Sequence, residues 1–114
     1  MATIYKICER AAWDAAERAA VYRGSEIDAR DGFIHFSSAA QVAGTAARHF
    51  AGQTGLMLIA VDADALGAAL KWEKSRGDDL FPHLYASLPL AAVRWTKALP
   101  DEIDGTRALP ELKP

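Results

Sequence analysis

Short β-type runs and stretches at helical spacing alternate through the first half of the chain. Residues 3–8, Thr-Ile-Tyr-Lys-Ile-Cys, are β-branched and aromatic and predict a strand. Residues 9–20 are alanine-rich. Trp13, Ala16 and Ala20 recur at helical spacing, with Arg10, Asp14, Glu17 and Arg18 largely elsewhere, which predicts an amphipathic helix. Residues 22–30 are polar around Gly24 and read as a loop. Asp31-Gly32 is a turn signal, and residues 33–36 read as a second strand. Ser38 precedes Gln41 by the capping-box spacing, so a helix is expected from there to about Phe50. Val42, Ala46 and Phe50 form its buried stripe, and Gly52 can stop it.

The second half reads mainly as strands. Residues 56–61 are consecutively apolar, which suits a central strand covered on both faces. Asp62 can cap a short helical turn over 63–70, with Asp64 near its positive end. Residues 70–74 alternate, placing Leu70 and Trp72 opposite Lys71 and Glu73. Residues 75–79 form a tight polar loop, and 80–85 are extended, with Pro82 marking an edge or irregular segment. Residues 88–92 suit one helical turn and 93–98 a last strand. Residues 100–114, with three prolines and a glycine, read as a tail that wraps the surface or is partly disordered. Strands without regular helical crossovers predict an α+β fold. The expected architecture is a split, mainly antiparallel sheet with two main helices, in one domain over 1–99 followed by the tail.

Composition narrows the function classes. The 114 residues are 51% hydrophobic and 25% charged, as in one globular domain. A formal net charge of −2 argues against a general nucleic-acid binder but leaves room for a local basic pocket. Cys8 is the only cysteine, so no intramolecular disulfide or multi-cysteine zinc site can form, and a buried, inert thiol is expected. The first residues show no signal pattern, and the longest apolar run is too short to span a bilayer. The expectation is a cytoplasmic protein without a membrane partner.

The chemistry concentrates in a few polar residues. Strand alternation sets Ile34 and Phe36 against Phe33, His35 and Ser37, so His35 faces a cleft or solvent if the other two face the core. The helix expected from Ser38 would bring anion-favouring amides beside it. Glu73, opposite Trp72, can act as a base or hold sugar hydroxyls. Arg76, at a glycine-containing turn, can grip a carboxylate or phosphate with two parallel bonds. His83 is a natural proton carrier, and Tyr85 shares its face, able to stack on a ring or donate its hydroxyl. Arg48 lies off the buried stripe and is available to an anion, whereas His49 has no motif around it and reads as surface. The bland alternatives are a turn-ordering His35, a Glu73–Arg76 ion pair that only fixes the turn, an ordering His83 and a core Tyr85. The spacings of His35, Glu73 and His83 fit no compact metal motif, and neither a serine nucleophile elbow nor a phosphate-binding glycine loop is present. No cofactor follows from the residues.

These segments carry a resemblance. Ile4-Tyr5-Lys6-Ile7, Trp13, Tyr22-Arg23-Gly24-Ser25, Asp31-Gly32-Phe33-Ile34-His35-Phe36-Ser37, Gln41-Val42, Trp72-Glu73 with Ser75-Arg76-Gly77, and Phe81-Pro82-His83-Leu84-Tyr85 resemble the domain-of-unknown-function 952 family, small bacterial and plant proteins. The resemblance runs to about Ala98 and implies no particular activity. More distantly, the order of elements is similar to the RNA 2′-phosphotransferases of the ADP-ribosyltransferase-like fold. Those enzymes carry His-Ile-His-Leu-Ala where this chain has residues 33–37, which implies that His35 lines a ligand cleft. Tyr5 and Lys6 stand where those enzymes place a histidine or arginine anchor for NAD.

Two functions follow as expectations. One is a protein that holds a nucleotide-like or phosphorylated small molecule, of a transferase-like kind if an enzyme, with Glu73 and His83 catalytic and His35, Ser37, Arg48, Arg76 and Tyr85 binding. The other is a non-catalytic interaction module or homo-oligomer with no active site.

Overall fold

A computed structural model describes residues 2–114, with the side chain of Arg76 outside the described residues. Eight strands and three α-helices follow in the order β1 (Thr3–Glu9), α1 (Arg10–Ala19), β2 (Val21–Tyr22), α2 (Glu26–Asp31), β3 (Ile34–His35), α3 (Val42–His49), β4 (Leu56–Asp62), β5 (Leu70–Arg76), β6 (Asp79–Leu84), β7 (Leu88–Pro89) and β8 (Val93–Ala98). A 3-10 segment, Ala63–Ala69, is broken at Gly67, and a shorter one spans Leu90–Ala92. Every strand pair is antiparallel, in three small sheets ordered β1-β4-β8, β2-β7 and β3-β6-β5. The fold is α+β with mainly antiparallel sheets, as the sequence pattern predicts.

The apolar run of β4 explains the centre. Its odd positions Met57, Ile59 and Val61 join one core cluster, with Ile4, Cys8, Trp13, Ile34, Phe36 and Leu84. Its even positions Leu56, Leu58 and Ala60 join a second, with Tyr5, Ile7, Val42, Ala46 and Leu99. A strand that is apolar on both faces must be covered on both, and each large side chain buried here contributes about 1.5–3 kcal/mol. Asp62 caps the following 3-10 turn by accepting from the Asp64 amide at 3.0 Å. Burial also pushes the Cys8 thiol up to about 11, so it stays protonated and inert.

Several local expectations need correcting. The stretch expected as loop over 22–30 holds the end of β2 and most of α2. Ser25 caps α2 by accepting from the Asp28 amide, while the Asp28 carboxylate accepts from the Ser25 amide. Asp thus takes the place that Glu or Gln fills in the usual box. Ala20 leaves the buried face of α1 because it is the left-handed cap residue, with φ 61°. At Ser38 only half the predicted box forms, Gln41 Oε1 accepting from the Ser38 amide at 3.0 Å. The chain turns through 39–41 and α3 begins at Val42, so its free amides lie further from His35 than expected. Trp72, placed by alternation on the face opposite Glu73, is 44% exposed, and so is Tyr85, which excludes the bland core alternative for that tyrosine. Pro82 sits in β6, the central strand of its sheet, not at an edge. Its carbonyl accepts from the Phe36 amide at 2.9 Å, so its missing N–H falls on the β3 side, just where that two-residue ladder ends.

The residues after β8 pack back on the body. Leu109 and Leu112 lie against the second cluster. Arg107 donates to the carbonyls of Phe50, Gln53 and Pro100, and the Tyr5 hydroxyl donates to the Lys113 carbonyl at 2.6 Å. Among the described residues no helix is long and apolar enough to cross a membrane.

Candidate functional site

A cleft of about 500 Å³ opens beside β1 and is walled by β3, α2, α3 and β6. The sequence puts its most unusual residue at the start. Lys6 shares the inward alternation of Ile4 and Cys8, so its ammonium is carried into the first core cluster. A buried ammonium needs a partner, and α2 supplies one. The Ser25 cap turns Asp28 inward, and its carboxylate accepts from Lys6 Nζ at 2.8 Å. The turn is tight enough that a Cβ at Gly24, whose φ is +100°, would meet Asp28 Cβ at 2.8 Å.

Asp28 is the hub of the site. Its Oδ2 also accepts from the Ser25 amide at 2.9 Å, and its Oδ1 accepts from the His35 amide at 3.2 Å and from His35 Nδ1 at 2.6 Å. Burial pushes this carboxyl up. The His35 hydrogen bond, the Lys6 ammonium and the Ser25 amide outweigh it and hold the group well below the usual carboxylate range. The other ring nitrogen of His35, Nε2, lies 3.0 Å from Asp31 Oδ2. Both nitrogens of His35 are therefore committed to carboxylates of α2.

A second histidine stands directly across. His35 pairs with His83 in the β3–β6 ladder, and their rings meet edge to face at 5.5 Å. His83 Nδ1 donates to Glu73 Oε1 at 2.9 Å, and the Tyr85 hydroxyl donates to the same oxygen at 2.7 Å. These bonds, Tyr85 first and then His83, lower the Glu73 pKa, and the same bond to Glu73 raises that of Tyr85. With Nδ1 as donor, Nε2 of the neutral ring is an acceptor. That atom is buried and has no partner among the described residues. The Phe33 ring stacks on His83 at 4.1 Å and touches the rings of His35 and Tyr85.

The structure brings most of the sequence-predicted residues together. His35, Ser37, Arg48 and His83 line the cleft. Ser37 is buried and its hydroxyl lies 2.8 Å from that of Thr45. Arg48 is exposed on α3 and makes no ion pair among the described residues. Glu73 and Tyr85 do not line the cleft. They stand behind His83, so Glu73 orients that ring through a hydrogen bond. Arg76 reaches the end of β5 beside the cleft residue Ser75, and its side chain lies outside the described residues. No group of three or more metal-ligating side chains occurs among the described residues. The sequence reading missed Lys6, Asp28 and Asp31. Two of them carry a signal, Lys6 as a lysine at an apolar alternation position and Asp28 as the residue three after Ser25, whereas nothing marks Asp31 as a site residue.

A family model described as a protein of unknown function, DUF952, matches residues 7–96. The X-ray crystal structure of protein CC0527 from Caulobacter crescentus is 47% identical, covers 93% of both chains and gives a TM-score of 0.89. The solution NMR structure of the same protein is 48% identical over 92% of this chain and 90% of that one, with a TM-score of 0.82. No curated protein matches the chain.

Proposed function

Because the chain belongs to the DUF952 family, whose description names no activity, we propose from the cleft alone that it binds a small anionic molecule, phosphorylated or nucleotide-like, to which His83 presents a proton acceptor. The observation that carries this reading is His83 Nε2. The ring is 5% exposed and belongs to a residue that lines the cleft, its other nitrogen is fixed by Glu73, and the buried Nε2 has no partner among the described residues. Buried polar atoms are satisfied in nearly all folded proteins, so a ligand hydroxyl or N–H is the natural complement. Positioned by Glu73, the ring has the arrangement of a general base.

The anionic character comes from Arg48. The other cleft cations are neutralised in place, Lys6 by Asp28 and Arg30 by Asp31. Arg48 remains to meet an anion, with the Ser37 and Thr45 hydroxyls on the same wall. Arg76, at the adjacent β5 end, is a second candidate. Tyr85 serves His83 through Glu73. A finer version makes the fold ADP-ribosyltransferase-like and the ligand NAD or ADP-ribose; the split sheet and the order of elements support it. In that version Arg48 would carry the ligand's charge, since Lys6 in the first strand is committed to Asp28.

Thermal denaturation with inorganic phosphate, ADP-ribose or NAD tests the reading. A ligand at a hundredfold its Kd stabilises by about 2.7 kcal/mol. The expected result is a raised melting temperature with at least one of the three, abolished in Arg48→Ala. A rise that survives unchanged in Arg48→Ala, or none with any of them, sinks the proposal.

One observation favours the alternative of an interaction module. Trp72 and Leu80 are exposed on the same face of the β5–β6 hairpin, Leu80 opposite Lys74 and so two positions along the ladder from Trp72. A concentration-dependent dimer in light scattering, dissolved by Trp72→Ser, would support it.

A further inference from the structure

The sheets part at a definite point, and the register shows why. Tyr5 and Ser37 exchange both backbone bonds, Tyr5 N–H to Ser37 O at 2.8 Å and Ser37 N–H to Tyr5 O at 2.9 Å. In an antiparallel ladder the next such exchange would join Ile7 to His35. It does not form. The His35 amide donates to Asp28 Oδ1, and the His35 carbonyl accepts from Lys6 Nζ at 3.0 Å. The Lys6–Asp28 pair has taken both partners and acts as a wedge.

Ile7 is left over. Successive residues of β1 point their backbone groups to alternate sides, and Tyr5 points away from β4 towards Ser37. Ile7 therefore also points away from β4, into the fork, where it lines the cleft. Its N–H and C=O have no partner among the described residues, although the residue is only 5% exposed. A nearly buried backbone donor and acceptor, side by side at the floor of a cleft, ask for a complementary pair.

We propose that the ligand, beside its anionic group, carries an extended peptide-type amide unit, which takes the place of His35 opposite Ile7. The ligand N–H donates to the Ile7 carbonyl, and a ligand carbonyl or carboxylate accepts from the Ile7 amide. This is the strand-addition mode of recognition reduced to one residue. Ile27, 53% exposed on the same cleft wall, offers an apolar surface to the adjoining side chain. The inference rests on the cleft being a ligand site, as proposed above, and adds the chemistry of the ligand.

Two NMR measurements on the intact chain test it. In the unliganded protein, hydrogen exchange at the Ile7 amide is expected to be at least about tenfold faster than at Lys6 and Cys8, which are bonded to β4. Equal protection at all three would show that Ile7 already has a partner and overturn the proposal. The second is a titration with N-acetylglycinamide, uridine monophosphate and inorganic phosphate in turn. A shift and added protection of the Ile7 amide with N-acetylglycinamide is expected. If phosphate perturbs α3 while N-acetylglycinamide leaves Ile7 unmoved, the peptide assignment fails and the anion site stands. If uridine monophosphate alone moves Ile7, the edge is read by a nucleobase and the peptide assignment fails. If no probe moves any cleft amide, both proposals fall.

Discussion

His35 and His83 face each other across two short strands, with ring centroids 5.5 Å apart, yet their situations are opposite. His35 is partly exposed and has no nitrogen to spare, because α2 engages both. His83 is almost fully buried and keeps one nitrogen unused. Exposure therefore misleads here. The more accessible histidine is clamped by two carboxylates, and the buried one keeps an acceptor atom without a partner among the described residues. What separates them is the number of carboxylates within reach.

Four changes act differently on the two histidines. The largest effect is expected from Asp28→Asn, which leaves the Lys6 ammonium buried without its counter-charge. Removing one partner of a buried ion pair costs about 3–5 kcal/mol, and urea denaturation should show a loss of that size. A loss below 1 kcal/mol, read by the same method, would mean that the hub is not holding β1, α2 and β3 together (about the size of an exposed pair). His35→Ala should cost less, about 1.5–3 kcal/mol for a hydrogen bond to a charged group. An effect in the surface range, within about 0.5 kcal/mol, would show that His35 is not a clamp.

The third change is acid. Asp28 ordinarily titrates at 3.8 and lies well below that in the fold. Below 3.8 the unfolded chain binds more protons at this group than the folded one. Its stabilising contribution is thus complete above that value and is lost as the pH falls through the folded-state value. The expected stability curve falls on acidification by up to about 1.4 kcal/mol per pH unit from this group, and more shallowly in Asp28→Asn. Parallel curves for the two proteins would contradict the assignment. The smallest effect on stability is expected from Glu73→Ala, at the exposed end of the relay. Its signature is a tautomer change: nitrogen NMR should show His83 carrying its proton on Nδ1 in the parent chain, with Nε2–H gaining in the variant. An unchanged tautomer would mean that Glu73 does not set the ring.

Much of the frame was legible in the residues, because periodicity and apolar runs report burial directly. β1, α1, β4 and β8 lie close to where their patterns place them, and the alternation around His35 correctly turns Ile34 and Phe36 inward. The candidate site was half legible. His35 and His83 were visible as residue types, and their facing positions follow from pairing two extended segments. The hub was not visible, since α2 is only six residues long and its cap uses Asp where Glu or Gln is the familiar signal. Lys6 is hidden in a β-branched run, and only the alternation of Ile4, Lys6 and Cys8 shows that it shares their inward face. The late start of α3 has a similar cause: the Ser38–Gln41 bond exists but closes a turn rather than a helix.

The bond from the Tyr5 hydroxyl to the Lys113 carbonyl joins residues 108 positions apart. It has a consequence for how the chain acquires its shape on the ribosome. β1 is made before β4 and finds its ladder partner only when β4 emerges, and Leu109 and Leu112 add the last cover to the face bearing Tyr5, beside Val42 and Ala46 of α3. Loop closure over such separations is slow relative to local helix formation. The strand therefore waits for β4, and the cover over its Tyr5 face is completed only when Leu109 and Leu112 join the residues of α3.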